Sequence, residues 1–162
     1  MELWDMYNSN GCKTGIIKKR TDILKKGEYH LGAEIWIIND ESEILIQKRS
    51  SNKEVLPNMW GLTTGCMIIG EDTLDGAIRE VKEEIGMSLK KDEFSCITRI
   101  LRSDMIWDVY FVHKHVDLSK LVLQTEEVSD VKLVSVQQFK DMLSAGEIFK
   151  YPEINHMLSL IK

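Results

Sequence analysis

A mixed α and β fold, α+β in class and with strands outnumbering helices, follows from three features of the 162-residue sequence. Apolar runs rich in β-forming residues and bounded by turn residues recur along it, as in His30 to Ile38 (HLGAEIWII) and Met105 to His113 (MIWDVYFVH). Other stretches repeat their apolar residues at helical spacing instead. The composition, 43% hydrophobic and 29% charged, is that of a globular domain. A chain of this length suits one domain, residues 1–162, burying roughly 70% of its unfolded surface.

In chain order, residues 1–28 read as an N-terminal hairpin extension: LWDMY from Leu3, a turn at Asn8-Ser9-Asn10-Gly11, then KTGIIKKR to Arg20. Asn-Gly favours the turn because both residues tolerate positive φ. His30 to Ile38 and Ile44 to Lys48 are expected as an antiparallel pair joined at Asn39-Asp40-Glu41-Ser42. A polar loop, Ser50 to Asn58, leads to one short strand from Trp60 to Thr64. At about 100° per residue, Leu74, Ala77, Ile78, Val81 and Ile85 form one helical stripe, with Asp72 or Thr73 as N-cap and Gly86 as the stop. Phe94 to Arg102 and Met105 to His113 are two further strands. Leu121 to Leu123 is a short apolar stretch, Gln124 to Asp130 a polar loop, and Val131 to Val134 a strand. Val136, Phe139, Met142 and Leu143 define a helix ended by Gly146. Pro152 occupies a helix-start position ahead of Ile154, Met157, Leu158 and Ile161.

The net charge of −5 argues against a stable grip on a nucleic-acid backbone. Cys12, Cys66 and Cys96 are odd in number and form no CxxC pair, so neither a disulfide framework nor a zinc knuckle is indicated. No apolar run approaches the roughly 18 residues of a membrane span, and the N-terminus lacks a secretory pattern. The expected location is the cytoplasm. The N-terminal hairpin offers a surface for a homodimer.

Residues 65–87, GCMIIGEDTLDGAIREVKEEIGM, carry most of the functional information. On the helix, Glu80, Glu83 and Glu84 stand within about one turn of each other, an arrangement mildly unfavourable in isolation, by about 0.2–0.5 kcal/mol per pair. A hard divalent cation with oxygen ligands removes that conflict, and Arg79 is placed to orient a carboxylate. The charge pattern alone equally describes a solvated acidic face.

The spacing of Gly65, Glu71, Arg79, Glu80, Val81, Glu83, Glu84, Gly86 and Met87 resembles the signature of the Nudix hydrolase family without a mismatch. The resemblance implies an α/β/α sandwich around a central mixed sheet, with residues 65–87 as the loop–helix–loop motif. It implies Mg²⁺ or Mn²⁺ held by Glu80, Glu83, Glu84 and the Gly65 carbonyl, with Arg79 orienting a metal-binding glutamate. Glu71 is implied to be structural. The implied activity is hydrolysis of a diphosphate linkage in a small nucleoside diphosphate-type substrate. In relatives the base is a motif glutamate or a residue of a late loop, which here holds Glu126 and Glu127.

The stretch from Leu45 to Glu71 and the preceding hairpin resemble the branch containing isopentenyl-diphosphate isomerases. Those enzymes use a Cys just before the motif glycine, where this chain has Thr64, while Cys66 stands where they commonly place a metal-binding His. The departure suggests an isomerase-like Nudix hydrolase. The isomerase itself and a nucleotide-binding domain without activity are the alternatives.

Lys48 and Arg49, at a strand end near the motif, are candidates for substrate phosphate, with a solvated strand end as the plain alternative. Cys66 is expected to be a packed small residue and His30 a structural one. His113 and His115 lack a third ligand for a metal. Trp36, Trp60 and Trp107 are expected to fill the core.

Overall fold

In the computed structural model, which describes residues 2–162, strand β3 (His30–Ile38) is buried along its whole length. It runs parallel to β8 (Met105–His113), in register from His30↔Met105 to Ile38↔His113. Strand β7 (Phe94–Arg102) pairs antiparallel with the far edge of β8. The other edge of β3 is divided. Strand β6 (Thr63–Cys66) takes it from Gly32 to Ile35, and β4 (Ile44–Arg49) meets it only at Ile38↔Ile44.

The expected β3–β4 pair is therefore reduced to its turn, because β6 occupies the remaining edge. Strand β4 finds its partner in β9 (Val128–Val134), which begins earlier than its apolar residues suggest. Strand β5 (Trp60–Gly61) also pairs with β4. The single strand expected at 60–64 is thus two: the chain leaves β4 for β3 at Leu62, whose N–H is satisfied by the Tyr151 hydroxyl at 2.8 Å. A mixed seven-stranded sheet results.

Helix α1 (Thr73–Ile85) buries Ala77, Val81 and Ile85 against Ala33, Ile35 and Ile37. Helices α2 (Val136–Ser144) and α3 (Ile154–Leu160) bury Phe139, Met157 and Leu158 against Trp36, Ile38 and Ile46 on the opposite face. The alternation of β3 side chains supplies both cores, and the architecture is the expected α/β/α sandwich. Each fully buried Val, Leu, Ile, Phe or Met among them contributes about 1.5–3 kcal/mol.

Both ends of α1 are fixed. At the start, the Asp72 side chain accepts from the Asp75 N–H at 2.8 Å, and the Thr73 hydroxyl donates to Asp108 at 2.5 Å. Asp108, buried on β8, is gripped by Arg99 at 2.6 and 2.7 Å. At the finish, Gly86 adopts φ 72°, and the N–H groups of Val122 and Gln124 donate to the Ile85 and Glu84 carbonyls at 3.1 and 2.9 Å. Residues 121–123 thus form no strand; they cap the helix and carry the next loop to its end.

Strands β1 (Leu3–Tyr7) and β2 (Lys13–Lys19) form the expected hairpin. It is tied to the Gly65–Thr73 loop, with Ile69 N–H donating to the Leu3 carbonyl and Gly70 N–H to Asp5, both at 2.8 Å. Pro152 lies just ahead of α3, whose N-cap is Glu153. Among the described residues no helix is long and apolar enough to cross a membrane.

Candidate active site

Strand β6 and helix α1 bring the motif together. Gly65 pairs with Ala33, and a Cβ there would collide with the Glu80 side chain, so the absent side chain is what lets that carboxylate lie against the backbone. One turn on, Glu84 is only 9% exposed and accepts from the Gln47 amide at 2.5 Å. Gln47 in turn accepts from the Thr63 hydroxyl at 2.8 Å. Burial pushes the Glu84 carboxyl up to about 8 and also raises Glu80. Glu83 stands exposed at the rim.

Arg79 organises the cluster. Its Nε and Nη2 donate to the two Glu71 oxygens, each at 2.8 Å, a bidentate pair. Nη1 donates to Glu80 at 2.9 Å and to Glu83 at 3.1 Å, and Nη2 also reaches the Cys66 carbonyl at 3.1 Å. Glu71 accepts the Ile68 N–H at 3.1 Å as well, which locks the loop to the helix.

Gly65, Cys66, Arg79, Glu80, Glu83 and Glu84 line a polar cavity of about 580 Å³. Arg49 and Lys53 contribute positive charge to its walls, and Glu127 and Gln124 line it from the loop that α1 carries. Lys53 is ion-paired with Glu127. Arg49 donates from Nε to the Val55 carbonyl at 2.9 Å, and its Nη groups have no hydrogen-bond partner among the described residues. Lys48 lines neither cavity; neighbouring strand residues face opposite ways, and its ammonium lies 5.9 Å from the Trp60 ring centre. Glu126 is exposed and outside the cavity, so the structure separates the two late-loop acids.

A second cavity of about 190 Å³ adjoins the first, with Arg49, Val55, Thr64, Glu84 and Trp107 on the walls of both. Its own walls include Trp60, Phe149, Tyr151 and the buried acid Glu34. Of the tryptophans expected in the core, only Trp36 is fully buried. Trp60, on the two-residue strand β5, and Trp107, beside side-chain-free Gly32, face these cavities instead. Burial and the nearby Glu153 carboxyl push Glu34 well above the usual carboxylate range. Glu34 and Gln47 escape motif reasoning, although each leaves a signal: a polar residue inside an apolar strand.

Residues 28–154 match the NUDIX domain. The chain belongs to the Nudix family. It is 37% identical over 161 residues to an uncharacterized Nudix hydrolase of Listeria innocua, covering 99% of this chain and 95% of that protein. An isopentenyl-diphosphate delta-isomerase of Gibberella zeae is 27% identical over 144 residues, covering 72% of this chain and 55% of its own length. A Deinococcus radiodurans crystal structure shares the fold with a TM-score of 0.78 at 18% identity, covering 99% of both chains.

The remaining candidates fall outside the Nudix motif's carboxylate cluster. Cys66 is half-buried, and burial pushes its thiol up to about 11. His30 stacks on Trp4 with ring centres 4.0 Å apart, and burial lowers its pKa. His113 and His115 are exposed and lie 3.8 and 3.7 Å from Asp40. Among the described residues no three His, Cys, Asp or Glu side chains are gathered as a metal-holding group; Glu80 and Glu83 are instead both drawn onto Arg79.

Proposed function

We propose that this Nudix-family chain is a pyrophosphohydrolase, dependent on Mg²⁺ or Mn²⁺, that cleaves a diphosphate linkage in a nucleoside di- or triphosphate or a related nucleotide derivative. The reading takes residues 1–162 as one catalytic domain working in the cytoplasm. The observation that carries it is Glu84: a carboxyl group buried on the cavity wall with one amide donor and no ion pair, on a cavity that Glu80 and Arg49 also line.

A hard cation fits these residues. Their donors are oxygens, the bare Gly65 backbone leaves room for the Glu80 carboxylate, and burial raises both Glu80, in spite of its pairing with Arg79, and Glu84, which has no ion pair. Glu80, Glu83 and Glu84, with the Gly65 backbone beside Glu80, would hold it. When bound, such a cation neutralises phosphate oxygens and lowers the pKa of a ligated water. Arg79 keeps the glutamates oriented, its own charge committed to Glu71. Arg49 presents unpaired N–H groups to the substrate phosphates. Glu127, tethered by Lys53, accepts the proton of the attacking water. The aromatic cavity receives the group attached to the diphosphate, with Trp60 and Trp107 as stacking surfaces.

The deciding experiment measures phosphate and pyrophosphate release from nucleoside di- and triphosphates, nucleotide sugars, dinucleotides and isopentenyl diphosphate, each with Mg²⁺, Mn²⁺ or chelator. Metal-dependent cleavage of one class is expected. Rearrangement of isopentenyl diphosphate without release, or nucleotide binding without turnover, would overturn the hydrolase reading.

A further inference from the structure

The N-terminal hairpin precedes the residues that match the NUDIX domain, yet two of its side chains, Glu2 and Arg20, line the same polar cavity as Gly65, Glu80 and Glu83. Arg20 is held there by a relay. Its Nη1 donates to Glu2 at 2.8 Å, the Trp4 indole donates to the other Glu2 oxygen at 3.3 Å, and the Trp4 ring lies nearly flat on His30, at 7°. His30 begins β3, so the relay ends in the central sheet. The hairpin is also bonded directly to residues 69 and 70 of the motif loop.

Arg20 differs from Arg79 in what it has left to offer. Arg79 spends all three guanidinium nitrogens on protein oxygens. Arg20 has one side-chain bond, to Glu2, and its Nε and Nη2 have no hydrogen-bond partner among the described residues. Among the described residues, Arg20 and Arg49 are therefore the guanidinium groups of the cavity that keep N–H donors without a partner. A planar fork of donors matches the oxygens of a phosphate.

We propose that Arg20 is a substrate-binding residue of this cavity, its guanidinium gripping a phosphate oxygen while Glu2 positions it, so that the hairpin is part of the active site. This rests on the diphosphate reading given above. The hairpin is then more than a cover for the motif loop: it supplies a cation that residues 28–154 do not.

The test uses a probe that needs no turnover. Binding of methylenediphosphonate with Mg²⁺ is measured by calorimetry for the 162-residue wild type, Arg20→Ala and Arg20→Lys, alongside the Tm of each without ligand. Arg20→Ala is expected to weaken binding about 10–100-fold, the worth of a charged hydrogen bond, at unchanged Tm. Arg20→Lys, a point charge without the fork, recovers part of the loss. On the substrate that the release assay identifies, KM rises by a similar factor while kcat changes little. Wild-type affinity in Arg20→Ala, with the wild type itself binding, overturns the role of Arg20 and leaves the hydrolase reading standing. A wild type that ignores the probe overturns the role of Arg20, and the release assay then decides the hydrolase reading by itself. Should Arg20→Ala lower the Tm, Arg20→Lys decides: wild-type affinity in it overturns the proposal, and several-fold weaker binding at normal Tm supports it.

Discussion

The polar cavity beside α1 and the aromatic cavity next to it share Arg49, Thr64, Glu84 and Trp107, yet they are assembled in opposite ways. The three motif carboxylates of the first, Glu80, Glu83 and Glu84, come from one helix, and a single arginine holds two of them, Glu80 and Glu83. The walls of the second come from segments far apart in the chain: Glu34, Gln47, Trp60, Trp107, Phe149 and Tyr151. Chemistry that several substrates can share needs a fixed spacing of like groups, which one helix provides. Recognition of one substrate needs a shaped space, which only the folded sheet and its flanking loops provide.

If that division holds, a change in the polar cavity should affect every substrate alike. Glu83→Gln is the sharpest such change, because Glu83 is exposed and its hydrogen bond to Arg79 survives in the amide oxygen. Turnover should fall by about 10²–10⁴-fold for all substrates cleaved, with Tm unchanged. Near-wild-type turnover would remove Glu83 from the site, and a loss confined to one substrate would break the division between the cavities.

A subtler contrast lies in the aromatic cavity. Glu34 is fully buried, accepts the Trp36 indole N–H at 2.7 Å, and is held neutral by burial and by Glu153. Its pKa is raised on folding, so its stabilising state is fully present below the unfolded value of 4.5 and is lost as pH rises toward the folded one. Glu34→Gln keeps the acceptor and removes the titration. The variant should match the wild type near pH 5 and gain on it in Tm at each step toward pH 8.5. Parallel Tm–pH curves would show that Glu34 is ionised in the fold.

The same contrast explains how much could be read before the fold was seen. The limits of β7 and β8, the caps of α1 and the carboxylate cluster depend on local spacing, and the spacing carried them; the sandwich followed from the family resemblance, since periodicity alone implies only a mixed α and β domain. The division of the β3 edge between β4 and β6 did not follow, because Ile44 to Arg49 is equally good as a partner of β3 or of β9. Trp60 and Trp107 looked like core residues for a similar reason: hydrophobicity does not say whether a ring faces a neighbour or a cavity. Of the two phosphate candidates at a strand end, Arg49 faces the cavity and Lys48 does not, a choice made by the pleat. Glu126 and Glu127 differ because Val122 and Gln124 are bonded to the end of α1 and so place the turn that follows, a long-range contact that local spacing does not carry.

Cys66 gives the smallest expected effect and a useful control on the polar cavity. It lines that cavity one residue after Gly65, where a nucleophile would be well placed, but a thiol pushed up to about 11 is almost wholly protonated at neutral pH. What the residue gives the site is its carbonyl oxygen, which accepts from Arg79 at 3.1 Å and is unchanged by a different side chain. Cys66→Ser should therefore retain turnover within about threefold, as expected where no thiolate takes part. Iodoacetamide should label exposed Cys12 and Cys96 well before Cys66. A collapse of kcat in Cys66→Ser at unchanged Tm, or preferential labelling of Cys66, would mean that the thiol itself reacts, and that the carboxylates of α1 do not carry the chemistry alone.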